Sequence, residues 1–280
     1  MSSTRIIDGG IKDYQSVLNL QENAHQDLLA GTGNDTIFIV EHPPVITLGA
    51  RNSANKLTKD AEAIKQAGIE IFQIRRGGGT TAHNPGQLVV YPIINLKKHL
   101  LGVSDFVHLL EKIGIELLAE LGLACCTKKG FPGLWIEDKK PRITQITQMK
   151  TEPRINTNIH KFKIKFLNSV NPCKSVSEKS SVNQCPLNPR NLSAKALATA
   201  DLWLIKERKI ASIGIQIKKW ITSHGIAINI NNDLSIFDLI VPCGLENVKM
   251  TSVEKELGRT INMDNAKKIL KKILLKHFTG

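Results

Sequence analysis

The sequence of 280 residues predicts one α+β domain, in which helices flank a mixed β-sheet. Short β-branched runs, including TIFIVE, QLVVYPII, KIASIGIQI and HGIAININ, have the length and composition of strands. Two longer segments place apolar residues at helical spacing. Strands and helices follow one another without a repeated βαβ unit, which favours a mixed sheet over a purely parallel one.

The elements are predicted in chain order from these patterns. TIFIVE (Thr36–Glu41) is a strand that ends at the turn His42-Pro43-Pro44. The segment from Val103 is a helix that stops at Gly122, with its apolar stripe at Phe106, Leu110, Ile113, Leu117 and Leu121. MTSVEKELG predicts a capping box of Thr251 and Glu254 with a glycine stop. The last helix runs from about Met263 to Phe278, with one apolar stripe and one lysine face.

The net charge of +13 belongs mainly to one segment. Residues 139–200 carry 12 Lys or Arg and two Glu, which gives +10 and leaves +3 for the remainder. This segment is rich in Ser, Asn, Lys and Pro, and only HKFKIKFL alternates as a short hairpin strand would. We expect a basic, poorly ordered insertion at about 138–200 within a catalytic domain that spans 1–280. Because the segment has few aromatic residues, nucleic acid is not an expected partner.

Composition also bounds the class of protein. No apolar run approaches the ~18 residues of a membrane span, and the N-terminus is polar, so a cytoplasmic protein without membrane attachment is expected. Five scattered cysteines form neither a disulfide framework nor a CxxC metal pattern. They are interpreted as free thiols, at least one of them reactive, and no metal site is predicted.

The loop RRGGGTTAHNPGQLVVYPIINL is the first candidate site. It matches neither GxGxxG before a helix nor a Walker loop, because a strand follows it. Glycines let a ligand approach the backbone without a Cβ in the way, although a tight turn explains three glycines equally well. Two arginines, the glycines and His83 on one loop favour a site.

Cys243, in the turn Pro242-Cys243-Gly244, is the second candidate. A lone cysteine is more often a buried apolar residue. A thiol becomes a good nucleophile when a neighbouring cation or helix N-terminus lowers its pKa from ~8.5. The candidate partners are Lys209, His224 and His83.

The segments EHPPVITLG, RRGGGTTAHNPGQLVVYPIINL, RKIASIG, WITSHGIAININNDLSIFDLIVPCGL and MTSVEKELG resemble, in order and context, the motifs of the lipoyl(octanoyl) transferases. These belong to the biotin/lipoyl protein-ligase superfamily. The resemblance implies that superfamily's α+β domain. It implies transfer of an octanoyl group from acyl carrier protein to a lysine of lipoyl domains, the first step of endogenous lipoate biosynthesis. The acceptors would be 2-oxoacid dehydrogenases and the glycine cleavage H protein. No cofactor is expected beyond the carrier's phosphopantetheine arm, and a monomer is expected.

The resemblance also assigns residues. The acyl-thioester cysteine falls on Cys243, and the lysine that depresses its pKa falls on Lys209, with Lys140 as a rival because the insertion splits this region. Ala82 and Asn84 depart from the family pattern. The substrate-binding positions are Arg76, Gly77, Gly78, Gly79, Thr80, Thr81, Ala82, His83, Ser212, Ile213, Gly214, Gly225, Ile226 and Ala227.

Two alternatives stay open at this level. The first is an ATP-dependent lipoate- or biotin-protein ligase of the same superfamily, which would need no cysteine. The second is a non-catalytic homologue that binds lipoyl domains. The acyl-chain-length preference is also open, since burial of eight carbons at ~0.8 kcal/mol per CH₂ could select a length.

Overall fold

The structure is a computed structural model that describes residues 4–137, 207–242 and 248–278. The chain divides into two units, of which the first comprises Met1–Asp138 and Ile205–Gly280. The second unit, Lys139–Leu204, lies outside the described residues. The predicted insertion at 138–200, its segment HKFKIKFL and Lys140 therefore lie outside them, and so does Cys243.

The described elements alternate between strands and helices along the chain. The strands are β1 (Arg5–Ile11), β2 (Thr36–Glu41), β3 (Val45–Leu48), β4 (Glu70–Gln73), β5 (Thr81–His83), β6 (Gln87–Ile93), β7 (Cys126–Lys128), β8 (Phe131–Ile136), β9 (Arg208–Lys218), β10 (Ile221–Asn229) and β11 (Lys249–Met250). The α-helices are α1 (Tyr14–Ala30), α2 (Ala61–Gln66), α3 (Val103–Glu120), α4 (Val253–Leu257) and α5 (Met263–Phe278), and a 3₁₀ helix spans Leu234–Leu239.

Two sheets organise these strands. The larger has eight strands in the order β1-β2-β6-β10-β9-β8-β7, with β11 paired to β9, and the smaller has the order β4-β3-β5. The β1–β2, β9–β11 and β3–β4 pairs are parallel, whereas the other pairs are antiparallel. The predicted mixed sheet flanked by helices is confirmed.

Strand alternation sends the apolar side chains of the larger sheet into two cores. On β6, Leu88 and Val90 pack into the core that contains α3 and α5. Val89 and Tyr91, on the opposite face, pack with Val17 of α1. Every residue of β6 is therefore buried, as its nearly continuous apolar run requires.

The predicted strand Thr36–Glu41 and the predicted last helix have the bounds expected from the sequence. The predicted capping box of Thr251 and Glu254 is wrong. Ser252 is the N-cap of α4, since its Oγ accepts the N–H of Lys255 at 3.2 Å. The Thr251 hydroxyl donates instead to Glu256 at 2.5 Å. A second hydroxyl, that of Thr260, donates to Glu254.

Candidate active site

A cavity lies between the larger sheet, α1 and the glycine loop; we call it the acyl cavity. It is lined by 11 of the 14 substrate-binding positions that the sequence predicted, brought together from β5, β9, β10 and the loop before β5. Its lining residues are Tyr14, Arg76, Gly77, Gly78, Thr81, His83, Val89, Tyr91, Ser212, Ile213, Gly214, His224, Gly225, Ile226 and Ala227.

Three predicted positions do not line this cavity, and each has a different role in the fold. A Cβ on Gly79 would lie 2.3 Å from the carbonyl oxygen of Ala54, so only glycine fits there. The hydroxyl of Thr80 is buried and accepts the N–H of Lys56 at 3.0 Å. Ala82 packs into the core of the smaller sheet. These residues build the loop and do not contact the cavity.

Arg76 holds the glycine loop in place. Its buried guanidinium donates to the carbonyl oxygen of Thr47 at 2.9 Å, to the Thr47 hydroxyl at 2.7 Å and to the carbonyl oxygen of Gly77 at 3.1 Å. The N–H of Gly77 donates to the carbonyl oxygen of Ile215 at 2.8 Å. The loop is thereby fixed against β9.

The glycines on β9 and β10, like Gly79, stand where a Cβ would clash with a neighbouring backbone. A Cβ on Gly214 would lie 2.9 Å from the carbonyl oxygen of Gly77, where the loop crosses β9. A Cβ on Gly225 would lie 2.1 Å from the carbonyl oxygen of Val90. At these positions the closest approach is made by the protein's own backbone.

Buried aromatic and imidazole rings form one wall of the cavity. Nδ1 of His42 donates to the carbonyl oxygen of Lys12 at 2.8 Å, so its Nε2 accepts the hydroxyl of Tyr91 at 3.0 Å. Tyr14 stacks on His83, with ring centroids 6.0 Å apart. Tyr14, Val89 and Tyr91 line the cavity but were not among the residues predicted from the sequence. The strand pattern of QLVVYPII carried a usable signal, because alternation places Val89 and Tyr91 on one face.

Burial keeps these imidazoles neutral. Desolvation, reinforced by His42, lowers the pKa of His83 to about 3, and desolvation lowers the pKa of His42 to about 4. Nδ1 of His83 lies 2.7 Å from Oε1 of Gln87, whose Nε2 donates to Asn229 at 2.8 Å. His83 therefore donates through Nδ1, and its Nε2 carries the lone pair.

Lys209 is 2% exposed and lies beneath Trp135, with Nζ 5.2 Å from the centre of the ring. A register shift between β8 and β9 pairs Lys209 with Trp135 and Ser212 with Gly133. Because cross-strand partners share a face and Gly133 and Trp135 are two residues apart, Lys209 lies on the same face as Ser212. A Cβ on Gly133 would lie 2.9 Å from Cε of Lys209, so glycine makes room for the lysine.

Lys209 lines a second cavity, which we call the lysine cavity. The other residues that line only this cavity are Arg51, Val107, Gly130, Phe131, Pro132 and Ile215. The two cavities share four lining residues, Gly77, Gly78, Ile213 and Gly214. The two cavities therefore adjoin at the glycine loop and the neighbouring part of β9.

The described chain on either side of Cys243 lies near the start of β9. Pro242 and Val248 line one groove together with Arg208, the residue before Lys209. The N–H of Thr251 donates to the carbonyl oxygen of Lys209 at 2.9 Å. Burial raises the pKa of Cys125 and of Cys126 to about 12, so neither of these described thiols is ionised at neutral pH.

Two other features concern residues 4–137, 207–242 and 248–278. No group of three or more His, Cys, Asp or Glu side chains in those ranges is arranged to hold a metal ion. No helix within those ranges is long and apolar enough to cross a membrane. The expected monomer and the expected cytoplasmic location stay predictions.

Comparison with known proteins identifies the family. The family model "Lipoyl protein ligase A/B catalytic domain" matches residues 13–155 and 143–275. The chain is 27% identical to an "Octanoyltransferase" of Maridesulfovibrio salexigens, over 98% of this chain and 95% of that protein. It is 30% identical to an "Octanoyltransferase" of Caldicellulosiruptor saccharolyticus, over 90% of this chain and 79% of that protein.

A solved structure is similar in fold. A bi-partite lipoate protein ligase of Thermoplasma acidophilum matches with a TM-score of 0.58 and 10% identity, over 100% of this chain and 85% of that one. At this identity the likeness shows the fold alone. The resemblance predicted from the motifs is confirmed: the chain belongs to the lipoyl protein ligase A/B catalytic domain family.

Proposed function

We propose that this protein transfers an octanoyl group from octanoyl-acyl carrier protein to a specific lysine of lipoyl domains, through a thioester on Cys243. The observation that carries the proposal is that the acyl cavity adjoins the cavity of the buried Lys209 at the glycine loop. The names of the relatives at 27–30% identity support octanoyl transfer. The matched bi-partite ligase was solved as part of a lipoylation system with its E2 lipoyl domain, which supports lipoyl domains as acceptors.

The first half-reaction forms the acyl-enzyme. The Lys209 ammonium stabilises the Cys243 thiolate, which attacks the carbonyl carbon of the octanoyl thioester. The bond from that carbon to the pantetheine sulfur breaks, and the departing thiolate takes a proton from Lys209. One thioester replaces another, so the step needs no ATP.

The second half-reaction forms the amide. The amine of the acceptor lysine attacks the Cys243 thioester, the carbon–sulfur bond breaks, and the neutral Lys209 amine accepts the proton that the attacking nitrogen loses. Lys209 suits this role better than His83, because an imidazole with a pKa of about 3 is a weak base. We assign His83 to the wall of the acyl cavity.

Backbone donors are proposed to hold the tetrahedral oxyanion. The N–H of Gly77 is excluded from this role, since it already donates to Ile215. The remaining candidates are the N–H groups around Gly78 and those of Cys243 and the residues that follow it in the sequence. Arg76 contributes by holding the loop, because its guanidinium is bonded to Thr47 and Gly77.

Intact-protein mass spectrometry tests the proposal. Incubation with octanoyl-acyl carrier protein without ATP should add the mass of one octanoyl group, and a lipoyl domain added afterwards should remove it. Cys243→Ala should abolish the adduct, whereas the matched control Cys126→Ala should retain it. A strict requirement for ATP with free octanoate would support a ligase. Absence of any acylation, with a lipoyl domain still bound, would support a non-catalytic homologue.

A further inference from the structure

His224 faces a side of the sheet that strand alternation would not give it. Its neighbours two and four residues along β10, Ile226 and Ile228, pack into the core with α3 and α5. Alternation would send His224 the same way. Its φ of +61° is instead left-handed, and its ring lies edge-on to Tyr91, with centroids 6.4 Å apart, on the α1 face. The uncommon backbone conformation turns the imidazole into the acyl cavity.

His224 stands between two cavities. Besides the acyl cavity, it lines a third cavity, which we call the outer cavity. Within the described part of the chain, His224 is the single residue that lines both. The other residues that line the outer cavity come from α1, from β4 and the chain that follows it, and from β9 and β10, and they include Gln21, His25 and Gln216.

A backbone hydrogen bond helps to fix the position of His224. Its backbone N–H donates to Oε1 of Gln21 at 2.8 Å. Its side-chain Nδ1 is buried and has no hydrogen-bond partner among the described residues. A histidine retained for structural hydrogen bonding would satisfy its buried nitrogens. Desolvation, with Arg76 nearby, lowers the pKa of His224 to about 4, so the imidazole is uncharged at physiological pH.

The position of His224 also suits the end of a ligand. It pairs with Ile215 across the β9–β10 ladder. Ile215 is six residues along β9 from Lys209, about 20 Å at 3.3 Å per residue. His224 is therefore displaced along this ladder from Lys209, near which the proposed reaction takes place.

We propose that the imidazole of His224 is the end wall of the acyl cavity and sets the longest acyl chain that the protein accepts. The proposal rests on the proposed function and adds its chain-length determinant. His224 acts by occupying the space into which a longer chain would extend. Without the imidazole, the acyl cavity would continue into the outer cavity.

The variant His224→Gly tests this wall. Glycine adopts φ of +61° without strain, so the backbone is retained. The kcat/KM of parent and variant is measured with octanoyl-, decanoyl- and dodecanoyl-acyl carrier protein. Each methylene newly buried is worth a factor of about four. We expect the ratio of dodecanoyl to octanoyl kcat/KM to rise at least tenfold in the variant.

Trp220→Gly is the matched control, because Trp220 also has a left-handed φ of +66° but is 44% exposed and lines neither cavity. It should keep the parental ratio. His224→Asn is a second variant, since asparagine tolerates this conformation and leaves a shorter side chain. It should give an intermediate ratio.

The outcomes separate this inference from the proposed function. The proposal that His224 forms the end wall would be overturned by an unchanged ratio of dodecanoyl to octanoyl kcat/KM in both folded His224 variants. An equal loss of kcat/KM with every chain length would overturn it too. If the parent is not acylated by any donor, the proposed function fails. Calorimetric titration with free octanoate and dodecanoate then tests the wall alone. Tighter binding of dodecanoate only in the His224 variants supports it, and identical binding in the parent overturns it.

Discussion

Replacement of Lys209 by methionine tests the central electrostatic claim of the proposed mechanism. Lys209 is 2% exposed, so its charge acts on a nearby thiolate at an effective dielectric constant of ~20 and not that of water. At ~4 Å this interaction is worth about 4 kcal/mol, the equivalent of about three pKa units. A thiol with an ordinary pKa of ~8.5 is only about 3% ionised at pH 7. Lys209→Met should therefore slow acylation about 30-fold at pH 7.

The assay follows acyl-enzyme formation by quenched-flow mass spectrometry between pH 6.5 and 9.5. The deficit of the variant should shrink to less than about twofold at pH 9.5, where an ordinary thiol is ionised without help. Methionine is a long apolar side chain that can fill the space beneath Trp135, and circular dichroism checks that the variant is folded. The exposed Lys249→Met, on the paired strand β11, is the control for general loss of charge. An unchanged rate at pH 7 in folded Lys209→Met would refute the reasoning.

Two further predictions concern stability. Burial lowers the pKa of His42, His83 and His224 to about 4, 3 and 4, so the unfolded chain binds more protons than the folded one between pH 4 and 6.5. The free energy of unfolding should fall on acidification through that window by up to about 1.4 kcal/mol per pH unit for each histidine. Urea titrations measure this, and a flat profile in the window would contradict it. Glu256→Gln should lower the free energy of unfolding by about 2 kcal/mol, because Glu256 accepts bonds of 2.7 and 3.0 Å from the partly buried Arg208. Equal urea midpoints for parent and variant would show that the pair contributes nothing.

The sequence predicted the fold where one periodicity dominated a segment. TIFIVE and the lysine-faced last helix have the predicted bounds because each presents a single pattern over its whole length. The Thr251–Glu254 capping box failed for a tertiary reason. The Thr251 hydroxyl is taken by Glu256, a residue whose engagement with Arg208 depends on the position of β9.

For the candidate site too, the sequence predicted what local motifs determine and did not predict what tertiary contacts determine. Motif position located the loop and most of its lining residues, but it could not distinguish residues that contact the cavity from residues that support the loop. Gly79 is required by the carbonyl oxygen of Ala54, a contact that no local pattern reveals. Tyr14 enters the cavity from α1, far away in sequence, and carried no signal at all. His42 was read only as part of a turn, although its ring fixes the hydroxyl of Tyr91.

The distance between Lys209 and His224 is set by the pairing of β9 with β10. β9 carries Lys209 near its start, and β10 presents His224 opposite Ile215. The distance between the reacting end and the wall therefore depends on the register of this ladder. A slip of two residues would move the wall by about 7 Å, whereas a slip of one would turn the lining side chains to the other face. The bulge opposite Trp135 fixes the face of Lys209 at one end, and the left-handed backbone fixes the face of His224 at the other. The ladder thus departs from regular strand geometry at Lys209 and at His224, the two residues to which the proposals assign roles.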